Sequence, residues 1–189
     1  MGALEDWKQI SQGFQDISGD ESHVLSVKKD GTLWGWGLNG FGSIGDGTTV
    51  SRSSPVQIGA LTDWSKCYAG KYHSLAIRTN GTAWVWGDNT QGQLAQGDDG
   101  FLTNRSSPTQ IGSDTDWLDG DCGDYHIVLR KTNGDVYTCG DGNQGTLAQG
   151  DNIDRSSPVQ IGGKWGGVWA GQIHTILLGS SSSSSTSSS

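Results

Sequence analysis

A motif that recurs about every fifty residues limits what this chain can fold into. The second copy occupies 70–112 and reads GKYHSLAIRTNGTAWVWGDNTQGQLAQGDDGFLTNRSSPTQIG. Four histidines share one position of the motif: His23, His73, His126 and His174. Three prolines share another: Pro55, Pro108 and Pro158. A period of this length indicates repeated supersecondary units that bury their apolar faces only against one another, as in propellers and solenoids.

Each copy of the motif has the pattern of short β-strands. Four segments of the second copy are predicted as strands: 64–69, 74–78, 82–86 and 108–111. Asn80-Gly81 joins the middle two and favours a two-residue hairpin, because that turn requires positive φ at both central positions. The chain is therefore predicted to be all-β, with propeller-type blades of four antiparallel strands each.

The second copy also contains five short motifs of a known kind. They read GKYH at 70–73, NGTAWVWGDN at 80–89, QGQL at 91–94, NRSSP at 104–108 and DW at 116–117. These motifs resemble the repeats of the regulator of chromosome condensation family, over about residues 5 to 178. The resemblance implies blades of a propeller that usually has seven of them. The family includes nuclear guanine-nucleotide exchange factors, a bacterial β-lactamase inhibitory protein and many viral and bacterial proteins, so it implies a fold rather than one activity.

The number of repeats predicts an incomplete ring of about three and a half blades. The predicted repeats lie at about 14–61, 62–114, 115–163 and, in part, 164–178. They form a repeat domain at 24–178, between an irregular segment at 1–23 and a disordered serine-rich tail at 179–189. Such an arc leaves a sheet face bare at each end, so we expect both faces to be covered. The faces would be covered by a second copy of the chain, by neighbouring subunits or by a part of the protein that a further part of the gene encodes.

The amino-terminal segment fits two interpretations. Residues 7–13 and 14–19 both resemble the first strand of a repeat, so one of the two is surplus. Apolar residues at three- and four-residue spacing from Leu4 to Ile17 would also fit one face of a helix. A strand is favoured because the resemblance to the repeats continues through Trp7.

Charge and hydropathy exclude two classes of partner. The net charge is −8 and the 12 lysines and arginines are scattered, which is unlike a phosphate-binding surface, so no nucleic acid is expected. No basic segment precedes an apolar run, and no window approaches the length of a membrane span. We therefore expect no signal peptide and no membrane contact. The prediction is cytoplasmic synthesis, with a place on the virion surface if the chain belongs to a viral particle.

Neither a metal site nor a cofactor is predicted. Cys67, Cys122 and Cys139 are odd in number and form no Cys-x-x-Cys, which is typical of buried free thiols. Aspartates beside glycine are the ordinary chemistry of tight turns, and none has the frame of an EF-hand. Cys139 stands where the other repeats have Trp36 and Trp86, which we interpret as structural repeat positions. The third blade is expected to pack less tightly there.

The shared register of the histidines suggests a structural role. Each imidazole is predicted to hold the inner turn of its blade through backbone hydrogen bonds. A histidine-lined ring could alternatively hold a metal or transfer protons, but an active site is normally asymmetric. The chain has no Gly-x-Ser-x-Gly nucleophile elbow. The prediction is a protein without catalytic residues.

Binding is expected in the loops, where the copies differ. The candidate binding residues are apolar or aromatic: Phe41, Tyr72, Phe101, Leu102 and Tyr125. We interpret the chain as a non-catalytic β-propeller interaction or structural module, such as a component of a viral particle or a bacterial surface assembly. Its partner would be a protein or a second copy of the chain. The alternatives are a regulator of a small GTPase, of the guanine-nucleotide exchange type, and an inhibitor module that binds a protein or a glycan.

Overall fold

The computed structural model describes residues 6–13 and 22–180. The predicted second version of the first strand at 14–19 lies outside these residues, and so does the serine-rich tail after Ser180. In the part of the chain that is described, no helix is long and apolar enough to cross a membrane.

The described residues form three antiparallel sheets of four strands and one of two strands. The first sheet contains β1 (Trp7–Gln12), β2 (His23–Lys28), β3 (Leu33–Gly37) and β4 (Arg52–Gln57). The second contains β5 (Trp64–Ala69), β6 (His73–Arg78), β7 (Ala83–Gly87) and β8 (Arg105–Gln110). The third contains β9 (Trp117–Cys122), β10 (His126–Lys131), β11 (Val136–Gly140) and β12 (Arg155–Ile161). The half-sheet consists of β13 (Trp165–Ala170) and β14 (Thr175–Gly179).

This architecture confirms the predicted all-β fold of four-stranded blades in a partial propeller. Trp7–Gln12 is a strand paired with β2, and the helical interpretation of this segment is wrong. The strand predicted from Pro108 starts earlier, at Arg105. β8 is an edge strand of its sheet, so the missing N–H of Pro108 removes no essential ladder hydrogen bond.

The hairpin turn of each sheet makes backbone contacts with the first strand of the next sheet, and these contacts join the two sheets. Gly81 has φ of 78°, and a Cβ atom at this position would lie 2.0 Å from the carbonyl oxygen of Thr115. Its own carbonyl oxygen accepts a hydrogen bond of 3.0 Å from the backbone N–H of Trp117, the first residue of the third sheet. Glycine is therefore required at position 81 both by its conformation and by the close approach of the neighbouring chain. The predicted two-residue turn is wrong, because Asn80 does not have positive φ and the N–H of Arg78 donates to the carbonyl oxygen of Thr82, which leaves a three-residue loop with Gly81 as its last residue.

The core lies between the sheets. We call the face of a sheet that points to the next sheet its C-side face, and the opposite one its N-side face. The C-side face of the first sheet packs against the N-side face of the second through these buried residues: Leu25, Val27, Leu33 and Ile58 on one side, and Trp64, Cys67, Ala69, Ala76 and Trp86 on the other. The second and third sheets pack in the same way, with Leu75 and Ile77 against Ile127 and Leu129.

The first strand of each sheet is an edge strand, and from the second sheet onward a side chain of the preceding sheet bonds to its backbone. The amide of Gln9 donates to the carbonyl oxygen of Cys67 at 2.8 Å and accepts from its N–H at 3.0 Å. At the second junction, the Lys66 amine donates to the carbonyl oxygen of Leu118 at 2.8 Å. At the third, a carboxylate oxygen of Asp121 accepts from the N–H of Ala170 at 3.0 Å. These contacts block edges that would otherwise recruit foreign strands.

The lost ring at Cys139 is offset in part by a larger residue on the opposite strand. Trp86 lies directly across from Ser74, whereas Cys139 lies directly across from Ile127. In the second sheet the large Trp86 faces the small Ser74, and in the third sheet the small Cys139 faces the larger Ile127. Cys139 is fully buried, and Ile127 occupies part of the volume that the ring fills in the second sheet.

Cys139→Trp is therefore expected to destabilise the protein by about 1 to 3 kcal/mol, because Ile127 takes up part of the space that the ring would need. The double variant with Ile127→Ser should recover part of this loss, since it recreates the pair found in the second sheet. Urea unfolding of both single variants and the double variant gives the coupling energy. Additive effects would show that the two residues do not share one volume.

Candidate functional site

The histidines lie beneath the turns that join the first two strands of each sheet. His23, His73 and His126 are buried, whereas His174 is exposed. His23 Nε2 is 2.7 Å from the Ser74 hydroxyl of the next sheet, which itself donates to the carbonyl oxygen of Ser43 at 2.8 Å. Since that hydroxyl has one proton, His23 is the donor to it.

The predicted backbone contacts of the histidines do not form regular hydrogen bonds within their own blades. His23 bonds to a side chain of the next sheet. The rings of His73 and His126 face the backbone of the next sheet, at His126 and His174, and these contacts act to raise the pKa of each ring, although no ring nitrogen of the two has a partner of normal hydrogen-bond geometry within the described ranges. The ring of His73 packs instead against Gly70, where a Cβ atom would lie only 2.4 Å from its Cε1. The histidines thus share a packing position. The hydrogen-bond partner of the ring at that position changes with the residue on the next sheet.

Burial keeps these rings uncharged. It lowers the pKa of His23 and of His126 to about 4, and that of His73 to about 3. Neighbouring histidines lower the pKa of His73 further. No three metal-binding side chains come together among residues 6–13 and 22–180. Buried neutral rings under a closed turn are unsuited to binding a substrate.

Glycines stack the turns of neighbouring sheets on one another. A Cβ atom at Gly70 would lie 2.7 Å from the carbonyl oxygen of Gly123, and one at Gly123 would lie 2.7 Å from that of Gly171. Any larger residue would hold the turns apart. The residues that follow these glycines therefore come together in a row at one end of the sheets.

Two rings of that row, and a third from the loop after β3, form what we call the aromatic strip: Tyr72, Tyr125 and Phe41. The ring centroids of Phe41 and Tyr72 are 4.9 Å apart, and those of Tyr72 and Tyr125 are 6.5 Å apart. The Lys71 amine lies 5.5 Å from the centroid of Tyr72 and 5.7 Å from that of Tyr125. All three rings are half-buried. Three sheets thus build one surface, because Phe41 comes from the first, Tyr72 from the second and Tyr125 from the third.

Backbone hydrogen bonds fix the strip. The N–H of Asp88 donates to the carbonyl oxygen of Tyr72, and the N–H of Asp141 to that of Tyr125, both at 2.9 Å. The N–H of Asp124 donates to the carbonyl oxygen of Gln172 in the next turn at 2.8 Å. The strip is therefore held in place before any ligand arrives, which lowers the entropy cost of binding.

The electrostatic environment of the strip combines one cation with nearby carboxylates. Burial raises the pKa of Tyr125, Lys71 acts to lower it, and Asp124 and Asp88 raise it. Burial also raises the pKa of Asp88, whose carboxylate accepts a hydrogen bond of 2.9 Å from the Gln93 amide. The strip offers aromatic faces and charges for contact, and no nucleophile paired with a base.

The other two predicted binding residues lie apart from these rings. Phe101 and Leu102 are in a 3-10 turn, Phe101–Thr103, within the connection between β7 and β8. Both side chains are exposed. The ring contacts that join the strip do not include Phe101. Sequence reasoning did not select Lys71, although its place beside Tyr72 in the turn was a visible signal.

Two family models for the regulator of chromosome condensation (RCC1) repeat match the chain. One covers residues 30–77 and 133–178, and the other covers 67–93 and 119–146. The E3 ubiquitin-protein ligase MYCBP2 of Danio rerio is 43% identical over 60 residues, which are 30% of this chain and 1% of that protein.

Three solved structures share the fold. Yeast RCC1 (Prp20) in complex with Kap60 has a TM-score of 0.78 at 18% identity, covering 95% of this chain and 43% of that one. Prp20p of Saccharomyces cerevisiae, described with its binding to Gsp1p and histones, has a TM-score of 0.75 at 21% identity, with coverages of 95% and 45%. Human WBSCR16 has a TM-score of 0.64 at 16% identity, with coverages of 96% and 60%. The chain spans less than two thirds of the length of each.

Proposed function

Because the chain belongs to the regulator of chromosome condensation repeat family, we propose that it is a non-catalytic interaction module that binds a protein partner across the aromatic strip. The observation that carries the proposal is the contact of Phe41, Tyr72 and Tyr125 across three sheets. Rigid, half-buried aromatic side chains beside a cation are the residues that dominate binding energy at protein interfaces.

A protein fits this surface better than a nucleic acid does. The net charge of −8 opposes phosphate binding, and Lys71 is the one cation within ring-contact distance of Tyr72 and Tyr125 in the described chain. The solved relative Prp20 is itself described with protein partners, namely Kap60, Gsp1p and histones. For this chain only the class of these partners is inferred, namely a protein, whether folded or extended.

Tyr72→Ser is expected to weaken partner binding about tenfold or more, because Tyr72 is the central ring of the strip. The partner is first recovered from an extract of the native source with the tagged chain and identified by mass spectrometry. Its affinity for the wild type and the variant is then measured by calorimetry. Phe101→Ser is the matched control, since it removes an exposed ring outside the strip. Equal affinities of the wild type and Tyr72→Ser would refute the assignment.

Three finer predictions from the sequence have tests of their own. A role in a viral particle or bacterial surface assembly predicts that the protein copurifies with that assembly. Regulation of a small GTPase predicts faster release of labelled guanine nucleotide from the partner. Glycan recognition predicts binding to immobilised sugars that Tyr72→Ser removes. The proposed protein-binding module requires none of the three.

A further inference from the structure

The C-side face of the half-sheet is apolar and uncovered. Ile176 and Leu178 occupy the register positions of Leu25 and Val27, which are 0% exposed because the second sheet covers them. In the half-sheet these positions are 48% and 56% exposed. Trp169, which pairs with Ile176 across the two strands, is 49% exposed. This surface has the composition of a sheet junction without the sheet that would complete it.

The N-side face of the first sheet is the missing counterpart. Ile10 is 60% exposed, whereas Cys67 at the same position of the second sheet is fully buried. Trp36 is half-buried and contacts Trp7 at a centroid distance of 6.0 Å, whereas its equivalent Trp86 is fully buried. The described chain therefore ends in two unlike faces of the kind that pack together at its internal junctions.

We propose that two copies of the chain associate head to tail, with the C-side face of each half-sheet on the N-side face of the partner copy's first sheet. At the internal junction, Leu25 and Val27 pack in the cluster that contains Cys67 and Trp86. At the proposed junction, Ile176 and Leu178 meet Ile10 and Trp36 in the same register. The proposal goes beyond the protein-binding function and uses no residue of the aromatic strip.

The area of the two faces favours a second copy as the occupant. At roughly 400 Å² per face, two junctions bury about 1,600 Å² in total, which is the size of a stable protein interface. Unlike faces that meet head to tail close into a ring when the rotation permits. Because the sheets of a propeller are arranged about one axis, the proposal specifies a closed pair rather than a filament.

The test measures the mass of the purified full chain by light scattering at micromolar concentration. The expected result is a dimer of about 40 kDa, twice the chain mass of 20.0 kDa. Leu178→Arg and Ile10→Arg should each yield monomers, because a buried unpaired charge opposes association. Ile153→Arg is the matched control, since its side chain is 59% exposed in a loop away from both faces. Thermal unfolding of each variant verifies that it is folded.

Mixing the two charged variants tests the head-to-tail geometry. Each variant retains one unaltered face, so the mixture should form a dimer with one intact junction, although neither variant dimerises alone. If like faces pair, Ile10→Arg would remain dimeric and mixing would restore nothing, which would overturn the proposal. A wild-type monomer, an open series of oligomers, or a dimer unaffected by Leu178→Arg would overturn it as well. None of these results bears on the effect of Tyr72→Ser on partner binding.

Discussion

Acidification from pH 7 to pH 5 is expected to lower the free energy of unfolding by about 6 kcal/mol, or roughly 2 kcal/mol for each of three histidines. His23, His73 and His126 have an ordinary pKa of 6.5 in the unfolded chain and a pKa of about 4, 3 and 4 in the folded one. Below pH 6.5 the unfolded chain therefore binds more protons than the folded protein does. Stability is complete above pH 6.5 and is lost progressively as the pH falls toward 4.

The loss is large because a domain of this size is stable by only about 5 to 15 kcal/mol. Burial raises the pKa values of Asp88 and Asp121, and these carboxylates act in the opposite direction as the pH falls. Urea unfolding at each pH measures how steeply the free energy of unfolding falls as the pH is lowered. His73→Asn should reduce this pH dependence by about a third, and His174→Asn, which changes an exposed ring, is the control. A flat stability profile between pH 7 and 5 would contradict burial of the neutral rings.

Gly70→Ala is expected to destabilise the protein by about 3 kcal/mol or more. The added Cβ atom would lie 2.4 Å from His73 Cε1 and 2.7 Å from the carbonyl oxygen of Gly123, so both the ring and the next turn must move. Because the stacked turns carry Tyr72 and Tyr125, partner binding should weaken as well. Thermal or urea unfolding measures the first effect and calorimetry the second.

Gly40→Ala is the matched control. Gly40 is a loop glycine beside Phe41 of the strip, but unlike the buried Gly70 it is exposed, and a Cβ atom there would meet nothing within 4 Å. Its stability should change by no more than about 0.5 kcal/mol. Equal destabilisation by the two substitutions would mean that loss of glycine flexibility, rather than the close approach of the turns, is responsible.

The sequence predicted the architecture well because its signals are local. The repeat period and the Asn80-Gly81 hairpin specify strands and their pairing without knowledge of distant contacts. The start of β8 was predicted three residues late, since Arg105, Ser106 and Ser107 are polar and resemble a loop. Edge strands bury few side chains, so hydrophobic pattern cannot delimit them.

The site was predicted as separate residues but not as a surface. Phe41, Tyr72 and Tyr125 were selected from their loops, yet their contact depends on how the sheets stack. The histidines show the same limit. Their register is visible in the sequence, but their hydrogen bonding depends on the residue opposite, which is Ser74 for His23 and differs at the other junctions. The sequence of one repeat does not specify which residue of the next repeat its side chains will contact.

The side chains that satisfy the first strands bond to backbone atoms, and this leaves the receiving strands free to diverge. Gln9 contacts the N–H and C=O of Cys67, Lys66 a carbonyl and Asp121 an N–H, and none requires a particular side chain on the strand it meets. A substitution in the receiving strand therefore keeps the link, whereas one in the donating residue breaks it. Each junction therefore constrains one residue of the linking strand and no side chain of the strand it meets, which is compatible with receiving strands as unlike as WSKCYA, WLDGDC and WGGVWA in one small protein.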